Sequence, residues 1–199
     1  MSQESIDKKE IQLLSDIFAS PKDAFSSYIQ NVNFSRFSVF RIHLFLFVLA
    51  PVFKLLHNLF FTFVGSVHFG WEAPPKLTDG ITTAIAVYPL VLFLVYHFDI
   101  LLLRLRTGKA SIDVIEERDL LLISFLPFSA SAVFWIFPKP FNFFLILSAF
   151  IYCLYLSKTS LEMFFGFTIK QFIVFVSYIL ILCMTLSAVA LTIFNLIRK

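Results

Sequence analysis

Residues 120–156 read LLLISFLPFSASAVFWIFPKPFNFFLILSAFIYCLYL, and Lys139 is the one charged residue among them. Two apolar arms, 120–137 and 141–156, flank Pro138-Lys139-Pro140. That tripeptide cannot continue a helix and reads as a tight turn. A membrane crossing takes about 20 mostly apolar residues as helix, so each arm is short for one. Two readings follow. Both arms cross and the chain has five spans, or the pair forms a re-entrant hairpin and three spans remain. The lengths favour five.

Outward from this hairpin lie three more apolar blocks, at 40–64, 81–103 and 172–197. The expected architecture is all-α: a polytopic transmembrane bundle of about five helices, preceded by short amphipathic helices. It divides into a cytoplasmic segment, 1–36, and one membrane domain, 37–199, with no internal repeat. Pro51, Pro89 and Pro127 fall inside the first three blocks and are expected helix kinks. Composition agrees. Of 199 residues 59% are hydrophobic and 15% charged, with mean hydropathy +0.87. Soluble domains run about half apolar and about a quarter charged, and a small one exposes too much surface to hide this excess. The 28 phenylalanines read as bulky lipid-facing and packing residues.

Residues 1–9 are polar and read as disordered; their order is wrong for a secretory signal, so the first span is expected to remain as an uncleaved anchor. Ile11, Leu14 and Phe18 then recur at helical spacing as a short amphipathic helix. Ser20-Pro21-Lys22-Asp23 starts a second one, with Ser at the N-cap, Pro at the first position and an acid three after the cap. These two helices lie in the membrane interface or pack on the cytoplasmic face of the bundle.

Loop charge sets the orientation. With five spans, Lys8, Lys9, Lys22, Arg36, Arg41, Arg104, Arg106, Lys109, Arg118, Lys158 and Lys170 share one side, while Lys76, Lys139, Arg198 and Lys199 occupy the other. The N-terminus is expected in the cytoplasm and the C-terminus outside or luminal. Trp71 and Trp135 fall at the expected outer interface, where indole is enriched. The net charge of +3, placed between apolar blocks, suits anionic lipid headgroups and not nucleic acid. The bilayer is thus the first partner, with proteins on the cytoplasmic face and a homo-oligomer as further ones.

Charges at membrane depth are functional hypotheses. Lys54 lies roughly 21 Å along the first span from Phe40. With His57 and Asn58 it forms a polar patch, since three- and four-residue spacings share a helix face. Lys54 either snorkels to the outer interface or, with its neighbours, lines a cavity or headgroup contact. Asp99 lies near the inner face, level with Arg41, and the two read as an interfacial ion pair; a proton relay through Asp99 with His43 or His97 is the weaker alternative. Glu116, Glu117 and Asp119 beside Arg118 read as a solvated helix face. Cys153 and Cys183, with no metal-binding spacing, read as small buried side chains. The four histidines form no close metal-binding pair, and no nucleophile elbow, P-loop or glycine-rich dinucleotide turn is present. No catalytic residue, metal site or cofactor is expected.

The order of these features resembles the Yip family of Ypt/Rab-interacting membrane proteins, and its prokaryotic relatives in particular. The residues that carry it are Ile17-Phe18-Ala19-Ser20-Pro21 followed by Phe25; the basic connection Arg104 to Lys109 with Gly108; the mid-span Pro127 and the following Trp135; and Gly166 leading through Lys170-Gln171 into the last span. The resemblance implies five spans, a cytoplasmic N-terminus and, for the prokaryotic branch, a bacterial inner membrane. It implies a non-enzymatic role in organising or recruiting partners, trafficking or envelope-related. The Asp-Leu-Tyr-Gly-Pro type motif of the GTPase-binding branch is absent, so no binding residues carry over. The alternative is a small transporter or lipid-handling protein with a cavity near Lys54 and His57.

Overall fold

The computed structural model describes residues 3–30, 36–68, 76–97, 117–181 and 185. Every regular element among them is a helix. In chain order these are α1 (Gln3–Ala19), α2 (Pro21–Gln30), α3 (Arg36–His68), α4 (Ile81–His97), α5 (Glu117–Ser124), α6 (Leu126–Ala130), a 3₁₀ segment (Ser131–Ile136), α7 (Phe141–Phe165) and α8 (Ile169–Ile181). Three stretches are long and apolar enough to cross a membrane: Val39–Val64, Asp119–Ile136 and Phe141–Phe165. The chain is therefore an all-helical bundle built for a bilayer. Asp99, Trp71, Cys183, the Arg104 to Lys109 connection and the last span beyond Ile181 lie outside the described residues.

The three stretches play different parts. Over an apolar stretch of 18 residues in each, the middle one is 72% buried, against 39% within Val39–Val64 and 28% within Phe141–Phe165. Asp119–Ile136 is thus a central rod, and α3, α4 and α7 pack around it. Leu120, Leu121, Leu122, Ile123, Phe125, Leu126 and Phe128 are all buried, whichever way they point. The rod is also broken. Ser124 Oγ donates to the Leu120 carbonyl at 2.7 Å, and the Phe125 N–H is shared between the carbonyls of Leu121 and Leu122 at 3.0 and 3.2 Å. Phe125 then leaves the helix at φ −93°, ψ 4° and becomes the N-cap of α6. Pro127 sits in the first turn of α6, where its missing N–H costs nothing. The expected mid-helix kink at Pro127 is therefore a helix start. Pro51 and Pro89 do lie inside continuous helices.

The 3₁₀ segment lengthens the rod. At about 2.0 Å rise per residue instead of about 1.5 Å, it brings Asp119–Ile136 to about 30 Å, the thickness of the hydrocarbon layer. Phe137 precedes a proline, which disfavours helical backbone, and it is extended at ψ 150°. The chain reverses through Pro138–Pro140, and α7 runs back along the whole rod. α7 continues to Phe165, nine residues past the expected end at 156. Its last turns carry the exposed pair Lys158–Glu162 at 2.8 Å. Gly166, at φ 63°, ends it and lets the Phe167 N–H return to the Leu161 carbonyl at 3.2 Å. α8 begins three residues before the expected 172. Thr168 and Gln171 form a capping box, with Gln171 Oε1 accepting from Thr168 N at 2.8 Å and Thr168 Oγ1 accepting from Gln171 N at 3.4 Å.

α3 turns its central polar residues inward and an apolar face outward. Val39, Ile42, His43, Leu46, Ala50, Lys54, His57 and Asn58 form one buried stripe at helical spacing, while Phe45, Val48, Phe60 and Phe63 face outward. Lipid tails are as apolar as leucine, so the outward face loses nothing, and close packing with interhelical hydrogen bonds holds the bundle.

Residues 3–9, expected to be disordered, belong to α1. The docking face of α1 centres on Leu13 and Ile17; of the expected stripe, Leu14 packs against the core, Phe18 stacks on Tyr152 while 51% exposed, and Ile11 is turned out at 70% exposure. Ala24, Phe25 and Tyr28 of α2 join the same core. The Tyr152 hydroxyl donates to the Ile17 carbonyl at 3.2 Å. The two helices therefore pack on the bundle.

Candidate functional site

The sequence singles out Lys54, His57 and Asn58, and the structure gathers them at the end of the bundle that carries the Pro138 turn. The buried stripe of α3 turns all three inward, at 6%, 8% and 0% exposure. Each meets a different element. His57 Nδ1 lies 2.9 Å from the Ile136 carbonyl, which only accepts, so Nδ1 carries the hydrogen. It thereby caps the 3₁₀ segment where the chain leaves it. Asn58 Nδ2 donates to the carbonyls of Leu77 and Asp79 at 2.9 and 3.0 Å, which pins the turn entering α4. That turn is closed on itself by Asp79 Oδ2 accepting from Lys76 N at 2.9 Å. His57 and Asn58 thus fasten α3, the α4 entry and the rod to one another.

Two polar atoms of the patch are left over. Asn58 Oδ1 is buried without a partner. The Lys54 ammonium has no acceptor within hydrogen-bonding distance among the described residues. Its stem crosses the bare backbone of Gly80, whose φ of +73° suits glycine; a Cβ there would stand 3.0 Å from Lys54 Cε. Among the described residues, Asp79 and Lys139 are the charged groups within electrostatic reach of it.

A second polar site lies deeper, at the break in the rod. His43 is fully buried. Its Nε2 lies 2.9 Å from the Leu122 carbonyl and its Nδ1 2.6 Å from Ser129 Oγ. The carbonyl needs a donor, so Nε2 carries the hydrogen and the serine hydroxyl donates to Nδ1. One imidazole therefore ties α5 to α6 across Phe125. Cys153 of α7, fully buried, supports the same joint: its Sγ accepts the Phe128 N–H at 3.2 Å, in the first turn of α6 that no local side chain caps. Further along, Trp135 Nε1 donates to the Tyr88 hydroxyl at 3.1 Å, Tyr88 donates to Ser131 Oγ at 3.4 Å, and Ser131 donates to the Phe128 carbonyl. Trp135, expected in the outer aromatic belt, is 8% exposed and belongs to this chain. Asp119, expected on a solvated face, is buried at the foot of the rod. Arg41 is half-buried on α3, and its expected partner Asp99 is outside the described residues.

Sequence reasoning weighed His43 only as a relay member. Its position is four before Phe47 and seven before Ala50, on the stripe that later carries Lys54 and His57; that spacing marks it as inward-facing. Nothing in the sequence named Ser129, Ser131 or Tyr88 as partners, because these pairings join residues 43 or more apart. Among the described residues no three His, Cys, Asp or Glu side chains gather to hold a metal ion.

The remaining candidate is a groove of about 320 Å³ where α1 meets α2 against α7, lined by Ser20, Pro21, Lys22, Asp23, Tyr155 and Thr159. It opens beside the exposed Lys158–Glu162 pair. No family model matches this chain, and neither the curated proteins nor the solved structures gave a match.

Proposed function

We propose that this chain is a non-enzymatic integral membrane protein of Yip type, which organises or recruits partner proteins through the face made by α1, α2 and the adjoining turns of α7. The observation that carries this reading is the docked state of α1 and α2. Ile17 and Phe25 are fully buried and the Tyr152 hydroxyl holds the Ile17 carbonyl, while Ile11 and Phe18 stay outward. A recruiting surface that is ordered beforehand avoids the entropic cost of ordering on binding. The groove gives that surface a concave feature with one basic and one acidic side chain, Lys22 and Asp23. Loop charge supports a cytoplasmic position for it in a five-span bacterial inner-membrane protein.

The polar groups inside the bundle favour a scaffold over a transport path. A path needs polar groups that stay open to its cargo. Here His43, His57, Ser129 and Ser131 and the Asn58 amide hydrogens are bonded to neighbouring elements. The transporter or lipid-handling reading keeps one observation in its favour, that Lys54 has no acceptor among the described residues.

The test is photocrosslinking in the native membrane, with a benzophenone amino acid at Ile11 or at Thr159. The reading expects one discrete protein adduct of the same mass from both positions, weakened by Lys22→Glu. A mass of twice the chain identifies a second copy as the partner. Adducts with lipid alone from both positions would contradict it.

A further inference from the structure

Lys54 poses an energetic problem that its surroundings do not solve. A lysine turned into an apolar bundle is costly, and this one, at the end of the bundle that carries the Pro138 turn, is 94% removed from solvent yet bonded to no acceptor among the described residues. Its neighbours add to the positive charge. Lys139, from the turn between rod and α7, is within electrostatic reach. The stem lies over Gly80, directly before Ile81, the first residue of α4. A helix N-terminus carries partial positive charge, and here the Ile81 N–H itself already donates to the Thr78 carbonyl at 3.3 Å. Among the described residues Asp79 is the acid acting on Lys54, and its Oδ2 already accepts the Lys76 N–H. Two lysines and one aspartate among these residues leave a net charge of about +1 before the helix end is counted.

Lys54 is not fully sealed: 6% of its surface stays exposed, whereas Asn58 Oδ1 beside it is buried without a partner. The flanking surface is strongly apolar. Phe60 and Phe63 of α3, Phe137 of the turn and Phe141 of α7 are 60%, 75%, 44% and 65% exposed. Cationic groups at the mouth and phenylalanines on the flanks suit a molecule with an anionic head and hydrocarbon tails.

We propose that Lys54, Lys139 and the N-terminal end of α4 form a binding site for the phosphate of an anionic phospholipid headgroup, with the acyl chains lying on the exposed phenylalanines. The Lys54 ammonium donates to a phosphate oxygen, and Asn58 holds the 76–80 turn so that Gly80 leaves the lysine room. The site is independent of any partner on the α1–α2 face, so each can fail alone.

The experiment uses the full chain in detergent, with lipid binding read by native mass spectrometry. The probes are phosphatidylglycerol, phosphatidylcholine and inorganic phosphate. Phosphatidylglycerol should bind more tightly than phosphatidylcholine. Lys54→Met and Lys139→Gln should each weaken it by about fivefold, the contribution of one lysine to an anionic lipid. Inorganic phosphate should compete poorly, since it lacks the chains. Lys54→Met removes an uncompensated charge and should unfold at no lower temperature than the parent; should it fail to fold, the exposed Lys139→Gln carries the test. Equal phosphatidylglycerol binding by parent and variants, or full competition by millimolar inorganic phosphate, would overturn the proposal.

Discussion

The two arms of the central hairpin look alike in composition and behave oppositely. α7 is one unbroken helix of 25 residues, 28% buried over an apolar stretch of 18, with Phe141, Phe143, Phe144, Ile151 and Tyr155 facing out. The rod before it is 72% buried and consists of two short α-helices and a 3₁₀ segment. α7 closes its own hydrogen bonds, and its buried residues include the small Cys153, Ser157 and Ser160 beside Leu156, Leu161, Phe164 and Phe165. Small residues at such spacing let helices approach closely. The rod cannot close its own. Its breaks are bonded from outside, by His43 and His57 of α3, Tyr88 of α4 and Cys153 of α7. Irregular backbone at membrane depth persists where protein surrounds it, and the most irregular segment here is also the most buried one.

This contrast can be broken at several strengths, each read by reversible unfolding in detergent. The largest effect is expected in the rod itself. Leu121→Ala, at 1% exposure, should cost about 2–3 kcal/mol by opening a cavity on every side. Ile151→Ala on α7, at 57% exposure, should cost under about 0.5 kcal/mol. Equal costs would mean that the arms are not differently buried. His43→Leu should cost about 2 kcal/mol, since it keeps bulk but strips both hydrogen bonds from the joint. An unchanged stability would show that α5 and α6 hold their angle without it. Trp135→Phe should cost about 1 kcal/mol, and a double-mutant cycle with Tyr88→Phe should show the two losses overlapping. Strict additivity would place the indole elsewhere, back in the aromatic belt.

Much of this fold was legible in the sequence because its signals are local. The Pro138 turn, the Ser20-Pro21 helix start and the Val39–Val64 span follow from proline chemistry and apolar length. Gly166 and the Thr168–Gln171 box were equally local, and attention to them would have corrected the ends of α7 and α8. The inward turn of Lys54, His57 and Asn58 was partly legible, since their spacing continues the stripe of Leu46 and Ala50. The division of labour within the hairpin was not. Ser129, Ser131 and Trp135 read as ordinary features of an apolar arm until His43 and Tyr88 are beside them. The same holds for α1: Ile11 and Phe18 make as good an apolar stripe as Leu13 and Ile17, and only the bundle chooses between them.

The central claim, a rod shielded by protein and an arm bathed in lipid, is tested most directly by photolabelling the unmodified protein in liposomes. A carbene precursor dissolved in the acyl phase marks side chains that touch lipid, and mass spectrometry locates them. The account predicts labels on Phe143, Phe144 and Ile151 of α7 and on Phe45, Phe60 and Phe63 of α3, with residues 120–132 unlabelled. Labelling of Leu120 to Phe128 as strong as that of α7 would contradict it.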